Sequence, residues 1–189
     1  MLYKLTSIVV YFLLRLFFKL EVKGKNNIPR NQPFILASNH ASHLDPPTLA
    51  VSCPVKIGFL AKEELFSSKL ATFYFNSVGA IPLKRGESDI SAMRLSLKVL
   101  KTKPLLIFPQ GHRSENFDEI TAGVGFLCKK ANVPVIVARI YGTDKVFPKG
   151  AKSFRKGKVK VIFSRVDNIK TGDTNKEIAS KVMEKIKSL

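Results

Sequence analysis

Cysteine is scarce, acidic residues are few, and no apolar run is comfortably long enough to cross a bilayer. Each shortage closes off a class of protein. Cys53 and Cys128 stand far apart with no CxxC pair, which argues against a disulfide framework and a thiolate zinc site and makes a reducing cytosolic setting the default. Only 14 Asp and Glu accompany 32 Lys and Arg, a formal net charge of +18 on 189 residues. Such a surplus implies a lasting attraction to something anionic: nucleic acid, an anionic membrane surface, or acidic substrates and carriers. What is present argues against disorder. Hydrophobic residues make up 45% of the chain, including 14 Phe, enough apolar surface to offset the entropy lost on folding. The length suits one domain with a small appendage, since domains run about 100–200 residues.

The appendage is the N-terminal stretch MLYKLTSIVVYFLLRLFFKL. It lacks the small-residue cleavage site of a signal peptide, passing instead into Glu21-Val22-Lys23-Gly24-Lys25. A span needs about 20 apolar residues, but the stretch between Lys4 and Lys19 is shorter than that and includes Arg15. At about 100° per residue, Lys4, Ser7, Tyr11, Arg15 and Lys19 share one side with Ile8 and Phe18. The other side carries Leu2, Leu5, Val9, Val10, Phe12, Leu13, Leu16, Phe17 and Leu20. A broad apolar face beside a narrow cationic one predicts a helix lying in the membrane interface. The competing expectation is an apolar face packed on the protein's own core. Residues 1–20 are therefore read as a membrane-anchoring helix and residues 21–189 as one further domain.

From Leu20 onward, short β-branched or aromatic runs alternate with helical patterns. The predicted strands are Leu20–Lys23, Phe34–Ser38, Lys56–Ala61, Ala80–Leu83, Leu105–Phe108, Val133–Ile140 and Lys158–Phe163. Helices are predicted over Pro46–Val51, Ser67–Asn76, Ser88–Lys101, Val124–Ala131 and Thr174–Lys187, the last opened by a Thr174-x-x-Glu177 capping box. This alternation implies an α/β domain with a central, mostly parallel sheet flanked by helices. The basic alternation Lys158-Val159-Lys160-Val161 reads as an amphipathic edge strand.

Two turn-rich segments, Asn39–Pro47 and Pro109–Asn116, each follow a predicted strand. Both should emerge at carboxyl ends, where open α/β sheets bind ligands. The first holds His40, Ser42, His43 and Asp45. A neutral imidazole is the usual general base near neutral pH, and works best when a carboxylate on its second nitrogen fixes the tautomer. His40 and Asp45 are spaced so that the carboxylate can fold back onto the ring. Asp45 before Pro46 also reads as a helix N-cap. A metal held by His40, His43 and Asp45 with His112 is disfavoured, because there is no second cluster and no metalloprotease spacing. Ser42 as nucleophile is disfavoured by the lack of a Gly-x-Ser-x-Gly elbow.

Asn39-His40-(four residues)-Asp45 resembles the first motif of the glycerolipid acyltransferase family, which includes bacterial 1-acyl-glycerol-3-phosphate acyltransferases. Three further segments follow in that family's order: Val78-Gly79-Ala80-Ile81-Pro82-Leu83-Lys84-Arg85-Gly86, Ile107-Phe108-Pro109-Gln110-Gly111-His112-Arg113-Ser114 and Val133-Pro134-Val135-Ile136-Val137. The resemblance implies transfer of a fatty acyl group from a thioester on coenzyme A or acyl carrier protein to the free hydroxyl of a lysophospholipid. It implies His40 as general base and Asp45 as its orienting partner. Arg85 matches the second motif's arginine and Arg113 follows the Gly of the third. Both are expected on the acceptor's phosphate, where a guanidinium offers paired planar donors, with Lys84 as a helper. Gln110 and Gly111 are expected to line the same site, Gly111 either exposing backbone N–H groups to the ligand or forming a tight turn. No resident cofactor or metal is implied. The expected partners are anionic membrane lipids, the lysophospholipid acceptor and an acyl carrier protein as an alternative donor. The expected place is the cytoplasmic face of the cell membrane, peripheral or monotopic.

Gln110 departs from the family pattern, which has Glu there, and His112 replaces a Thr. Gln keeps a carbonyl acceptor, loses the charge and adds an NH₂ donor, so a different acceptor head group or reduced activity is expected. Two other functions compete. Lys149–Lys170 carries eight Lys and Arg and one Asp, as a nucleic-acid-binding module would, but no zinc-finger spacing, RNP-like segment or arginine-rich arm accompanies it. A membrane-bound scaffold that has lost catalysis is the third reading. Nucleic acid is not an expected partner.

Overall fold

In a computed structural model, which describes residues 2–77, 79–83, 89–114, 117, 120–121, 123–148 and 150–189, the chain builds one α/β sandwich. Seven strands form a single sheet: β1 (Glu21–Lys23), β2 (Ile35–Ser38), β3 (Gly58–Lys62), β4 (Ala80–Leu83), β5 (Leu105–Ile107), β6 (Val135–Tyr141) and β7 (Lys160–Arg165). Their spatial order is β1-β7-β6-β2-β5-β3-β4. Five strands are parallel, and β7 runs antiparallel to β6 with β1 parallel to β7. The helices are α1 (Leu2–Phe18), α2 (Asp45–Ser52), α3 (Lys69–Ser77), α4 (Asp89–Leu100), α5 (Gly123–Ala131), α6 (Thr143–Val146) and α7 (Asn175–Lys187). All seven sequence-predicted strands and all six predicted helices are present, β4 with the predicted ends and the others with ends shifted by one or two residues. The four-residue α6 carries no periodicity long enough to be read.

Parallel strands covered on both faces must be apolar on both, and β2 is: all four of its residues are buried. Phe34 and Leu36 join Leu106, Ile136, Ala138, Val161 and Phe163 under α1 and α2. Ile35 and Ala37 point the other way, packing with Leu105, Val137, Leu127, Val182 and Ile186 beneath α4, α5 and α7. Close packing on that second side depends on Gly125, where a Cβ would lie 1.8 Å from the carbonyl oxygen of Asn175 at the start of α7. The α7 capping box forms as the sequence predicts: Glu177 N–H donates to the Thr174 hydroxyl (3.2 Å), and the Thr174 N–H donates to the Glu177 carboxylate (2.7 Å). Both cysteines are buried, and burial pushes their thiols up to about 11 and about 12, far from reactive thiolates.

The edge-strand expectation for the Lys158–Val161 region is corrected. β7 lies inside the sheet between β1 and β6. Its alternation is real, with Val161 and Phe163 buried and Ile162 and Ser164 only partly so. A half-solvated face, however, says nothing about whether the backbone is paired on one side or two.

The N-terminal helix is apolar on the face it buries and on the face it exposes. Leu14 and Phe18 enter the core and Tyr11 packs beside them, with the Lys25 ammonium 5.4 Å from the Tyr11 ring centre. Phe12, Leu13, Leu16 and Phe17 point away from the domain, three of them more than 60% exposed. Of the broad apolar face, Phe12, Leu13, Leu16 and Phe17 are exposed while Leu20 enters the core, and a different stripe along Tyr11, Leu14 and Phe18 packs on the domain. At about 1.5 Å per residue, 17 residues extend about 25 Å, short of the roughly 30 Å of hydrocarbon. Among the described residues no helix is long and apolar enough to cross a membrane.

Candidate active site

β2 and β5 are adjacent and parallel, with Ala37 opposite Ile107, so the loops that leave them emerge side by side at the carboxyl edge of the sheet. The first loop carries His40 and the second runs through Pro109 to Ser114. They are tied together by backbone: Ser114 N–H donates to the His40 carbonyl at 2.9 Å. Asn39 fixes the other flank, donating to the Ile140 carbonyl and accepting from the Ile140 N–H, both at 2.9 Å. The first loop is thus held by β5's continuation on one side and by β6 on the other.

Within that frame, His40 Nδ1 lies 2.8 Å from Asp45 Oδ2. The Asp45 side chain is fully buried and that of His40 is 16% exposed. The same Oδ2 accepts the N–H groups of Ala41 (2.7 Å) and Ser42 (2.8 Å). Two backbone donors, with the imidazole beside them on the same oxygen, hold the carboxylate in place. The N-cap expectation for Asp45 is corrected here: Leu44 occupies the cap position, and Asp45 is already the first residue of α2 and makes no side-chain cap bond. Its side chain turns back to the loop instead. A proton on Nδ1 would point at this carboxylate and turn Nε2 away from it. The ring stacks on Phe108 at 4.0 Å between centres and 17° between planes, which limits its rotation.

Gln110, only 1% exposed, braces the two loops. Its Oε1 accepts the His40 N–H and its Nε2 donates to the Ser114 carbonyl, each at 2.9 Å. The polarity matters. A carboxylate could take the first bond but would face the Ser114 carbonyl with a second acceptor. Gln110→Glu is therefore expected to destabilise the fold by about 1–3 kcal/mol and to lower kcat for every acceptor alike, as urea unfolding and a lysolipid panel would measure. A change of acceptor preference alone, with stability and kcat retained, would instead support a ligand contact.

Gly111 adopts φ +73°, and its N–H donates to the Phe108 carbonyl at 2.9 Å. That is the tight-turn alternative, with the glycine's own N–H already spent. Arg113 is half-buried. Its charge reaches His43: partial burial, then the Arg113 charge, hold the His43 imidazole below its usual range, with His40 and Lys62 adding and Asp45 opposing. Lys62, at the carboxyl end of β3, thus belongs to the same cationic rim, and nothing in its sequence surroundings marks it. Lys84 and Arg85 follow β4 in sequence and lie outside the described residues. His112 is exposed on the second loop. Among the described residues no three His, Cys, Asp or Glu are grouped as metal ligands.

Sequence reasoning missed three supports of this site. Phe108 under His40 had a signal, its place at the end of β5 within the third motif. Asn39 had one too, immediately before the histidine. Ser42 did not: its hydroxyl donates to the Phe147 carbonyl and accepts the Leu44 N–H, a contact made across more than a hundred residues of chain.

The chain is similar to known proteins in sequence and in fold. A family model described as acyltransferase matches residues 19–141. The chain is 28% identical over 162 residues to a 1-acyl-sn-glycerol-3-phosphate acyltransferase of Bacillus subtilis, covering 85% of this chain and 79% of that protein. A protein of the same description from Streptococcus pneumoniae is 29% identical over 110 residues, covering 57% of this chain and 41% of its own length. The crystal structure of the 1-acyl-sn-glycerophosphate (LPA) acyltransferase PlsC from Thermotoga maritima superposes with a TM-score of 0.78 at 26% identity, covering 98% of this chain and 78% of that one.

Proposed function

The chain belongs to the acyltransferase family, and on that premise we propose that it acylates the free sn-2 hydroxyl of 1-acyl-glycerol-3-phosphate, giving phosphatidic acid for phospholipid synthesis. The observation that carries this reading is the 2.8 Å pair of His40 and Asp45 at the carboxyl ends of adjacent parallel strands. A thioester is already activated, so the reaction needs a base for the hydroxyl rather than a covalent nucleophile. His40 Nε2 takes the hydroxyl proton as that oxygen attacks the thioester carbonyl. The resulting imidazolium is stabilised by the buried Asp45 carboxylate. The tetrahedral intermediate then collapses, the carbon–sulfur bond breaks, and the departing thiolate takes the proton back from His40.

Arg113, with Lys62 and His43 beside it, supports a phosphate-binding rim on the same edge of the sheet, and motif resemblance adds Arg85 and Lys84. No metal or resident cofactor takes part in this scheme; coenzyme A or acyl carrier protein enters as the thioester substrate. The exposed apolar face of α1 supports peripheral docking to the cytoplasmic leaflet, where a lysophospholipid is found. Residues 1–20 then serve as the anchor and residues 21–189 as the catalytic unit, with Leu14 and Phe18 joining the two.

The test is acyl transfer by the purified protein in detergent micelles, with lysophosphatidic acid and both thioester donors. Phosphatidic acid formed together with one equivalent of free thiol is the expected result. No product with either donor would overturn the reading and favour a non-catalytic scaffold.

A further inference from the structure

The basic run after α6 has no part in the chemistry above, yet it is not a loose solvated strand. Residues 150–158 read Gly-Ala-Lys-Ser-Phe-Arg-Lys-Gly-Lys, with four cations and no acid. Lys152, Arg155, Lys156 and Lys158 are all exposed. The segment is anchored at both ends of its exposed part: Arg155 N–H donates to the Val146 carbonyl at 2.8 Å, and Val159 N–H donates to the Phe18 carbonyl, the last residue of α1, at 2.9 Å. Gly157 sits so close to Val146 that a Cβ would come within 2.7 Å of it.

At the centre of this segment stands Phe154. Its ring meets Phe18 edge-on at 5.7 Å and Phe147 at 4.9 Å, yet 60% of the residue remains exposed. Phe18 in turn touches Phe17, itself 61% exposed. Exposed Phe154 among its cations and exposed Phe17 on α1 thus flank one buried ring, Phe18, bringing two distant parts of the chain together. Exposed apolar patches of this kind mark interaction sites. The combination of a basic rim with aromatic and aliphatic side chains fits an anionic bilayer, where the rings enter the interface and the cations stay at the headgroups.

We infer that residues 150–158 form a second docking element for anionic phospholipid, continuous with α1, with Phe154 as its inserted side chain. The inference rests on the reading that the acceptor is a membrane lipid. It also gives the surface a place relative to the chemistry. Phe147, in contact with Phe154, accepts the Ser42 hydroxyl at 2.9 Å, and Ser42 N–H donates to Asp45. Phe147 therefore links the docking element to the loop that carries His40.

The experiment compares wild type, Lys152→Ala/Arg155→Ala/Lys156→Ala and Phe154→Ser by co-sedimentation with vesicles of phosphatidylcholine alone and of phosphatidylcholine mixed equally with phosphatidylglycerol. Each basic residue near an anionic leaflet contributes about fivefold in partitioning, so the triple variant is expected to lose on the order of 100-fold on the anionic vesicles and little on the neutral ones. Added salt should shrink that difference. Phe154→Ser is expected to weaken binding to both. Activity of all three proteins in detergent micelles should match, which separates failure of docking from failure of the enzymatic reading. Wild-type binding of anionic vesicles by the triple variant would overturn the inference. So would a loss confined to DNA binding, which would return the segment to a nucleic-acid role.

Discussion

Replacing His40 with Ala is expected to reduce kcat for acyl transfer by about 10²–10⁴-fold, the usual range for removing a general base, with KM for the lysolipid close to wild type. Among the described residues the ring is held by its bond to Asp45 and its stacking on Phe108. Asp45 Oδ2 keeps the Ala41 and Ser42 N–H donors when the ring is gone, so the carboxylate is not left stranded. The fold should lose only about 1 kcal/mol, the worth of a typical intramolecular hydrogen bond. Steady-state kinetics and urea unfolding on the same preparation check both halves. A variant that keeps wild-type kcat would remove His40 as the base and leave the mechanism without one.

Substitution at Asp45 should divide into two outcomes, because the carboxylate does two jobs with one oxygen. Asp45→Asn keeps a side-chain carbonyl that can accept from the Ala41 and Ser42 N–H groups, so the loop should hold. What it loses is the negative charge that fixes the Nδ1–H tautomer and balances the imidazolium formed as the hydroxyl is deprotonated. The expected result is a fall in kcat on the order of 10²–10⁴-fold with a nearly native unfolding midpoint. Asp45→Ala removes the acceptor for two backbone donors as well, at about 1–3 kcal/mol for each one left unsatisfied, and should be visibly unstable in urea. Wild-type turnover in the Asn variant would reduce Asp45 to a structural brace for the loop.

Much of this site was legible in the order of residues. Strand-then-turn punctuation around Phe34–Asn39 and Leu105–Pro109 gave both loops their place at carboxyl ends. The His40–Asp45 spacing suggested the pair. What could not be read was which of two compatible roles Asp45 takes. An Asp before Pro at a helix start has the same local pattern whether its carboxylate caps the helix or turns back to the loop. The choice depends on where the Ala41 and Ser42 N–H groups point, and the loop that carries them is bracketed by Gln110 after β5 and by Ile140 of β6 through Asn39. Gln110 itself looked like a ligand contact in the motif. It braces the two loops because its neutral amide can accept from one backbone and donate to the other.

The chain by itself determined the class of fold, the number of strands, the place of most helices to within one or two residues, and the concentration of cations against scarce acids. These follow from local rules: apolar periodicity, turn residues and capping side chains act within a few residues of one another. Tertiary structure alone decided the lateral order of the strands, which put β7 in the interior rather than at an edge. Backbone hydrogen bonds between strands carry no side-chain signature that a sequence can display. It also decided which stripe of α1 is buried, because Tyr11, Leu14 and Phe18 compete with an equally apolar face and only the shape of the underlying core separates them. The consequence is that Phe12, Leu13, Leu16 and Phe17 stay outward, and Phe18, at the end of the same helix, meets Phe154 of the basic segment 150–158.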